Sequence, residues 1–577
     1  MSTRRRPSLL GALLWTGIGL LFLLRNFGIG PDFWSLAGRY WPVLLIFLGL
    51  GKIIDYFLKK DAISIRIGEV FGIILLLLIG TAVSNMSGSH MNRIIRDLPI
   101  EIGGNSMPLG QWIGESHTYS EDVTYPLEFS TPIRVENSYG MVSVAPGSDR
   151  EIRVHLKKVI YGDEAGAKSL AAEIHLQGEA ENQDGSTAAP KAEAEPTKQS
   201  GTRHFVIRTN RDALDPQNRL FNTDIEIFVP KNSQVQVVNS YGEVRAADLD
   251  GKLDLSTTHR PLELRDCTGQ FNVSTRYSEC RLTNLKGNLS VDGYGRVYVE
   301  NVKGDVAVTN EYAPSEIVNI DGKLTVSSTE GNLRIERVTK PVSIDARGTQ
   351  VQVSDLQDSL QITTSYKSAD ISKVSSRVTI ESRYATLNLK NIQGNIEINS
   401  SSDTISADDI HGQFLLKARG SGVRANNIRG PLDIRTTLKD VVVNEFGDSC
   451  SISNEYAAIS ISSHVLGKGD VKVANRNGDV DLFLPEGAAF SIDATARNGK
   501  VLSDYAGLEP TRNANVGLLK SKVKTGGPRI TLETDYSDIH VYSAQDDGHR
   551  KSINNNNNNV YSSIHMTRGL NWIGVQQ

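Results

Sequence analysis

From Leu249 onward apolar residues return with two periods at once. Over short stretches such as "KLDLS" and "QFNVS" they alternate with polar residues, which is the two-residue period of a strand with one buried face. On a longer scale the whole phrase recurs every 18 residues. Counted from Tyr241 as position zero, it restarts at His259, Tyr277, Tyr294, Tyr312, Glu330, Gly348, Tyr366, Tyr384, Ser402, Gly420, Leu438 and Tyr456, with a single step of 17 before Tyr294. Position eight is apolar or cysteine in every coil: Leu249, Cys267, Leu285, Val302, Ile320, Val338, Leu356, Val374, Ile392, Ile410, Ile428 and Phe446. Positions twelve and fourteen are as strict, as in Leu253 and Leu255 or Cys450 and Ile452, and positions three and five are mostly apolar. A fixed period of this size marks a solenoid.

Two or three short strands joined by corners close one turn, so the predicted fold is all-β, a single-stranded, β-helix-like β-solenoid of 18-residue coils. No coil can bury its apolar row alone; stacking supplies the core. Twelve coils at about 4.8 Å each give a rod of roughly 60 Å. The corners are legible too. Position seven is Asp or Asn in most coils (Asp248, Asp266, Asn284, Asn301, Asn319, Asp355, Asn391, Asp409, Asn427), and position ten is Gly in many, from Gly251 to Gly430. Asn and Asp tolerate left-handed backbone and Gly takes positive φ freely, so these read as turn chemistry. A calcium ladder would need paired carboxylates in Gly-rich nonapeptides, and Asn is too frequent here; no metal is expected. Cys267, Cys280 and Cys450 fall on in-facing positions and form no C-x-x-C pair, so they read as small core residues.

The first 84 residues follow another pattern. Apolar runs at Leu9 to Leu24, Tyr40 to Ile54 and Glu69 to Val83 are near the lower limit for a membrane span, with Trp34, Tyr40 and Trp41 suited to the interface. The first run lacks a small-x-small cleavage site, against a removed signal peptide. Three spans are expected over 1–84. Arg4, Arg5 and Arg6 place the N-terminus in the cytoplasm, Lys52, Lys59, Lys60 and Arg66 mark the second cytoplasmic side, and everything beyond about Ser84 lies outside. The stretch "GLLFLLRNFGIGPDFWSLAGRYWPVLLIFLGL" resembles the LiaF-type transmembrane region of bacterial envelope-stress proteins, which implies a bacterial cytoplasmic membrane.

The rest divides into a juxtamembrane linker (85–126), an N-terminal β cap (127–240), the solenoid (241–474), a C-terminal β cap (475–545) and an Asn-rich linker and tail (546–577). Gly178 to Gly201, poor in large apolar residues, reads as a disordered insertion in the first cap. The order "VENSYGMVSV", "IEIFVP", strand-turn-Gly units, "VDLFLPEGAAFSIDATARNGKV" and "ITLETDYSDIHV" resembles a bacterial β-strand-repeat family of unknown function labelled "putative adhesin". That family brings no catalytic residues to carry over.

Composition narrows the function. With 62 basic against 66 acidic residues and a net charge of −4, no basic field for nucleic acid exists. Nucleophile-elbow, metalloprotease and nucleotide-binding motifs are absent, and His259, His411 and His464 lack a repeated partner; no cofactor and no catalytic residue is assigned. Acidic residues are dispersed rather than paired across a cleft as glycoside hydrolysis requires, so the chain is not expected to be an enzyme, a polysaccharide-acting β-helix enzyme being the alternative. The expected role is a membrane-anchored, extracytoplasmic binding or structural module of the envelope, in stress sensing or adhesion, with the lipid bilayer, envelope proteins or glycans as partners. A self-associating scaffold is the further alternative. The candidate binding edge is the tyrosine row: Tyr241, Tyr277, Tyr294, Tyr312, Tyr366, Tyr384 and Tyr456. Such a row reads either as a stacked structural ladder or as an exposed strip.

Overall fold

The computed structural model describes residues 99–102, 105–108, 116–126, 131–181, 204–214 and 221–544. The expected membrane spans, most of the juxtamembrane stretch, most of the Gly178 to Gly201 insertion and the tail lie outside them. Among the described residues no helix is long and apolar enough to cross a membrane. The chain forms two compact units. In the smaller, the helix Glu164–Glu173 begins where the Asp163 carboxylate accepts the Gly166 N–H at 3.0 Å, a side-chain cap for a free backbone donor. Arg211 there donates to the Phe221 carbonyl at 2.7 Å.

The larger unit is the solenoid. Each turn contributes one strand to each of two parallel ladders. Position twelve runs Val306, Leu324, Val342, Leu360, Val378, Ile396, Phe414, Leu432, Cys450 as direct partners, so the sequence period is the pairing register. All of these side chains are buried, as are all twelve at position eight and all three cysteines. Burial pushes the Cys267 thiol up to about 11 and the Cys450 thiol up to about 12.

Position seven is left-handed in all twelve coils, with φ between 52 and 60°. Its side chains bond from coil to coil: Asn301 Nδ2 donates to Asn284 Oδ1 at 3.0 Å, and Asn319 to Asn301 at 2.9 Å. The glycines at position ten correct the expectation in part. Gly304 has φ +146°, but Gly322 does not need positive φ; there a Cβ would stand 1.9 Å from the Gly304 carbonyl oxygen. Close stacking of corners, not backbone handedness, requires that glycine.

The ladders also extend beyond 241–474, through the stretches read as caps, and at both ends out of chain order. Ile133–Asn137 lies between His204–Thr209 and Val235–Asn239, and Val142–Pro146 between Phe221–Val229 and Val244–Ala247. At the other end Arg529–Asp535 lies between Val471–Arg476 and Phe490–Arg497, and Ile539–Ser543 between Val480–Leu484 and Val501–Ser503. Phe490–Arg497 is then covered by antiparallel Val516–Val523, itself paired with Thr511–Asn513. Gly178 to Glu181, read as the start of the insertion, belong instead to the strand Leu176–Glu181.

Candidate functional site

Position zero is the second corner of each turn, between the ladders. From Tyr277 onward its backbone is left-handed wherever the corner keeps four residues: Tyr277, Tyr312, Tyr366, Tyr384 and Tyr456 have φ of 58, 62, 70, 55 and 67°. This conformation costs an L-residue with a Cβ about 1–2 kcal/mol. The backbone is held by the next coil: the Tyr312 N–H donates to the Thr329 carbonyl at 2.8 Å, Tyr366 to Arg383 at 3.1 Å and Tyr384 to Ser401 at 3.0 Å. Two strands diverge from the corner and the phenol ring projects outward. These five rings are between 54 and 72% exposed.

The structure rearranges the expected row. Tyr241 is in it, with φ negative. Tyr294 is not at position zero. The turn Gly293 to Val297 has one corner residue fewer than Thr275 to Cys280, so the Tyr294 N–H bonds the Thr275 carbonyl just as Arg276 bonds Thr257 one coil earlier. Tyr294 therefore takes the place before zero, half-buried, with the Arg276 guanidinium 5.5 Å from its ring centre. Two tyrosines that the 18-residue count misses join the row because their coils are threaded in out of order: Tyr139, stacked on Tyr241 with centroids 4.7 Å apart, and the exposed Tyr536. Only the "NSYG" shared by Asn137 to Gly140 and Asn239 to Gly242 signals the first.

Stacking accounts for part of the row. Tyr139, Tyr241, His259 and Tyr277 form one run, with centroids 4.6 to 5.7 Å apart beyond the first pair, and Tyr366 and Tyr384 form another at 5.9 Å. Tyr312 and Tyr456 have no aromatic residue at position zero on either side. Tyr312 lies between the shortened corner Tyr294 to Arg296 and Glu330, and Tyr456 between Leu438 and Asn477.

Where Glu330 and Gly348 interrupt the row, a cleft of about 840 Å³ opens between Tyr312 and Tyr366, lined also by Arg347 and Lys367. A neighbouring groove of about 630 Å³ continues from Tyr366 past Arg347 and Arg383. Among the described residues Arg347, Lys367 and Arg383 are exposed and make no ion pair. Some cations elsewhere on the coils are matched, as Lys373 is to Asp355 at 3.4 Å and Arg429 to Asp409 at 3.1 Å, and the groove beyond Tyr366 is lined also by the exposed carboxylates of Asp345 and Glu381. A further groove of about 740 Å³ runs along position seven, but its polar groups bond one another in the Asn ladder, so it is a structural seam.

Other polar residues find local roles. His259 stacks in the tyrosine run, His411 lies 3.4 Å from Asp409 and His464 bonds Glu445. Among the described residues no group of three or more His, Cys, Asp or Glu is placed to hold a metal ion. Asp403, next to position zero of its coil, is buried. It accepts the Ala385 N–H at 2.8 Å and the Ser382 hydroxyl, and burial raises its carboxyl above the usual Asp range.

Residues 9–53 match the LiaI-LiaF-like transmembrane region. No curated protein matches the chain. Among solved structures, a "putative cell adhesion protein" from Clostridium sporogenes ATCC 15579 is similar over 74% of this chain and 100% of its own, at 8% identity and a TM-score of 0.13, too distant a likeness to place any residue.

Proposed function

We propose that this chain, a membrane-anchored β-solenoid with a LiaI-LiaF-like transmembrane region, displays its solenoid outside the cytoplasm as a binding module of the cell envelope, and that the position-zero edge is its working surface. One observation carries the reading. Exposed tyrosines occupy left-handed corners, where Gly348 and Gly420 show that glycine fits without strain, and two of them gain no ring contact in return. Unfavourable backbone held at an exposed position points to a use for the side chain. Within the cleft between Tyr312 and Tyr366 binding is favoured over cutting because a single carboxylate, Glu330, lines it, whereas glycoside hydrolysis needs two. A self-assembling scaffold is disfavoured at one end of the rod, where the outermost strand, Thr511–Asn513, has only three residues and offers little edge to a second copy.

Replacing Tyr366 and Tyr384 together by Ser tests this. The expected result is loss of cosedimentation with isolated envelope material and a melting temperature lowered by no more than one stacked pair implies, about 0.5–1.5 kcal/mol. A marked fall in melting temperature with binding unchanged would make the row a structural ladder.

A further inference from the structure

Seven of the position-zero corners from Tyr277 to Asn498 carry an exposed apolar side chain, six tyrosines and Leu438, each 54 to 72% exposed. Single exposed apolar residues are ordinary; a long row of them marks an interface. Charge does not name its occupant, because Glu330, Asp345 and Glu381 line the same clefts as Arg347, Lys367 and Arg383. Nor is there a place for an added strand, since the corner N–H groups from Tyr312 to Tyr384 all bond the next coil at 2.8 to 3.1 Å. The order of corners along the stack does name one. After Tyr312 come two corners without a ring, Glu330 and Gly348, and then Tyr366 and Tyr384. Two more without one follow, Ser402 and Gly420, and then Leu438 and Tyr456.

Turned end for end about a two-fold axis between Tyr384 and Ser402, this pattern fits itself. Tyr384 faces the second copy's Ser402, Tyr366 its Gly420, Leu438 its Gly348 and Tyr456 its Glu330. The match continues outward: Tyr312 faces Asn477, Tyr536 the shortened corner at Gly295, and Tyr277 faces Asn498. Over this whole stretch each large side chain meets a corner that has none. Slipping by one coil would set Tyr384 on Tyr384 and Tyr312 on Tyr456 and leave Gly348 facing Gly420, and a parallel arrangement would set each ring on itself. The residues just before the corners also face one another: Glu311 meets Arg476, while Arg347, Arg383 and Arg419 meet Thr437, Ser401 and Ser365. Arg276 and Arg497 meet as like charges at the ends, and there Asp535 holds Arg497 at 3.0 Å.

We infer that two copies of this chain pair edge to edge and antiparallel, the tyrosines of each filling the gaps of the other. The cleft between Tyr312 and Tyr366 then receives Leu438 and Tyr456 of the second copy. At about 200 Å² per tyrosine, more than half of it exposed, the row removes roughly 800 Å² per copy from water, a standard-size interface. The contact is isologous, so it closes as a pair and does not propagate. It is held by side chains alone and exchanges, so separately prepared copies mix and a thiol on the edge stays within reach of reagents. The inference rests on the reading of this edge as a binding surface and names its occupant.

The test uses full-length protein in detergent micelles, carrying either Glu330→Cys or Tyr456→Cys, and a short bismaleimide; the parent cysteines are buried. Across the pair these two thiols face each other, whereas two thiols of one variant stand seven coils apart, roughly 34 Å at 4.8 Å per coil. Crosslinked dimer is expected when the variants are mixed and not with either alone. In analytical ultracentrifugation Y366S/Y384S should weaken the dimer at least about tenfold, 1.4 kcal/mol. Gly420→Tyr should weaken it as much although it adds a ring, because it fills the gap that receives Tyr366. A Cβ at Gly420 meets only the Ser402 hydroxyl, at 3.9 Å, so that variant should keep its circular dichroism spectrum. Unchanged or tighter dimerisation of Gly420→Tyr, or crosslinking of one variant alone as strong as in the mixture, would overturn the interdigitated register. Monomer at every concentration, with envelope cosedimentation still lost on replacing Tyr366 and Tyr384, would overturn the second copy and leave the edge to another occupant. Cosedimentation independent of those tyrosines as well would overturn the edge itself.

Discussion

From Tyr277 onward, turns whose second corner keeps four residues bend at two left-handed corners, and only one of them is written in a residue type that announces it. Asn and Asp at position seven signal left-handed backbone through their own propensity. Tyrosine at position zero carries no such signal, so that corner was legible as a repeat but not as a strained one. Where position seven departs from Asn or Asp, stability should be recoverable. Lys373 sits at φ 52°, above Asp355 in the stack. Lys373→Asn would place an amide over that carboxylate as Asn427 stands over Asp409 at 2.8 Å. The substitution should raise stability in chemical denaturation by about 0.5–1 kcal/mol; a loss would mean that the Lys373–Asp355 pair outweighs the backbone term. Asp403 offers a second residue-level test. A carboxyl with a raised folded-state pKa leaves the fold fully stable below its ordinary value of 3.8 and loses stability as pH rises through the raised value. Asp403→Ser keeps a hydroxyl for the Ala385 N–H, as Ser421 does for the Asp403 N–H at 3.1 Å. The variant should melt higher than the parent at pH 7, with the difference shrinking toward pH 4. A constant difference would show that the carboxyl does not titrate in that window.

At the level of the coil, the period was readable because register and sequence repeat coincide: one residue's slip would expose a whole apolar row. Removing residues 366–383, one full coil, should therefore leave a cooperatively melting β protein, since each coil touches only its neighbours. Removing the nine residues 366–374 should abolish the cooperative transition in circular dichroism. Equal tolerance of both deletions would detach the period from the fold. The threaded ends were not legible. Asn137 pairs with Asn239 across 102 residues, and Arg476 with Asp535 across 59; a local hydrophobic pattern identifies each as a strand without saying between which coils it inserts. Tyr294 was misplaced for the opposite reason, because a shortened corner looks like a shortened coil when residues are only counted.

For the whole molecule, a membrane region at the N-terminus and a solenoid whose edge carries exposed rings form one account only if that edge faces outward from the cell. The buried cysteines make this measurable. Cys267, Cys280 and Cys450 are no more than 1% exposed, and burial raises their pKa values, which leaves little reactive thiolate at neutral pH. A cysteine placed at exposed Tyr456, a coil stack away from the cleft, is then the single reactive thiol. Full-length Tyr456→Cys protein in right-side-out spheroplasts is treated with a membrane-impermeant maleimide before and after permeabilisation, with the parent as control. Labelling of the variant alone, equal before and after permeabilisation, is the predicted result. Labelling only after permeabilisation would put the solenoid in the cytoplasm, and no labelling in either state would mean that the tyrosine edge is not exposed, either of which contradicts the account.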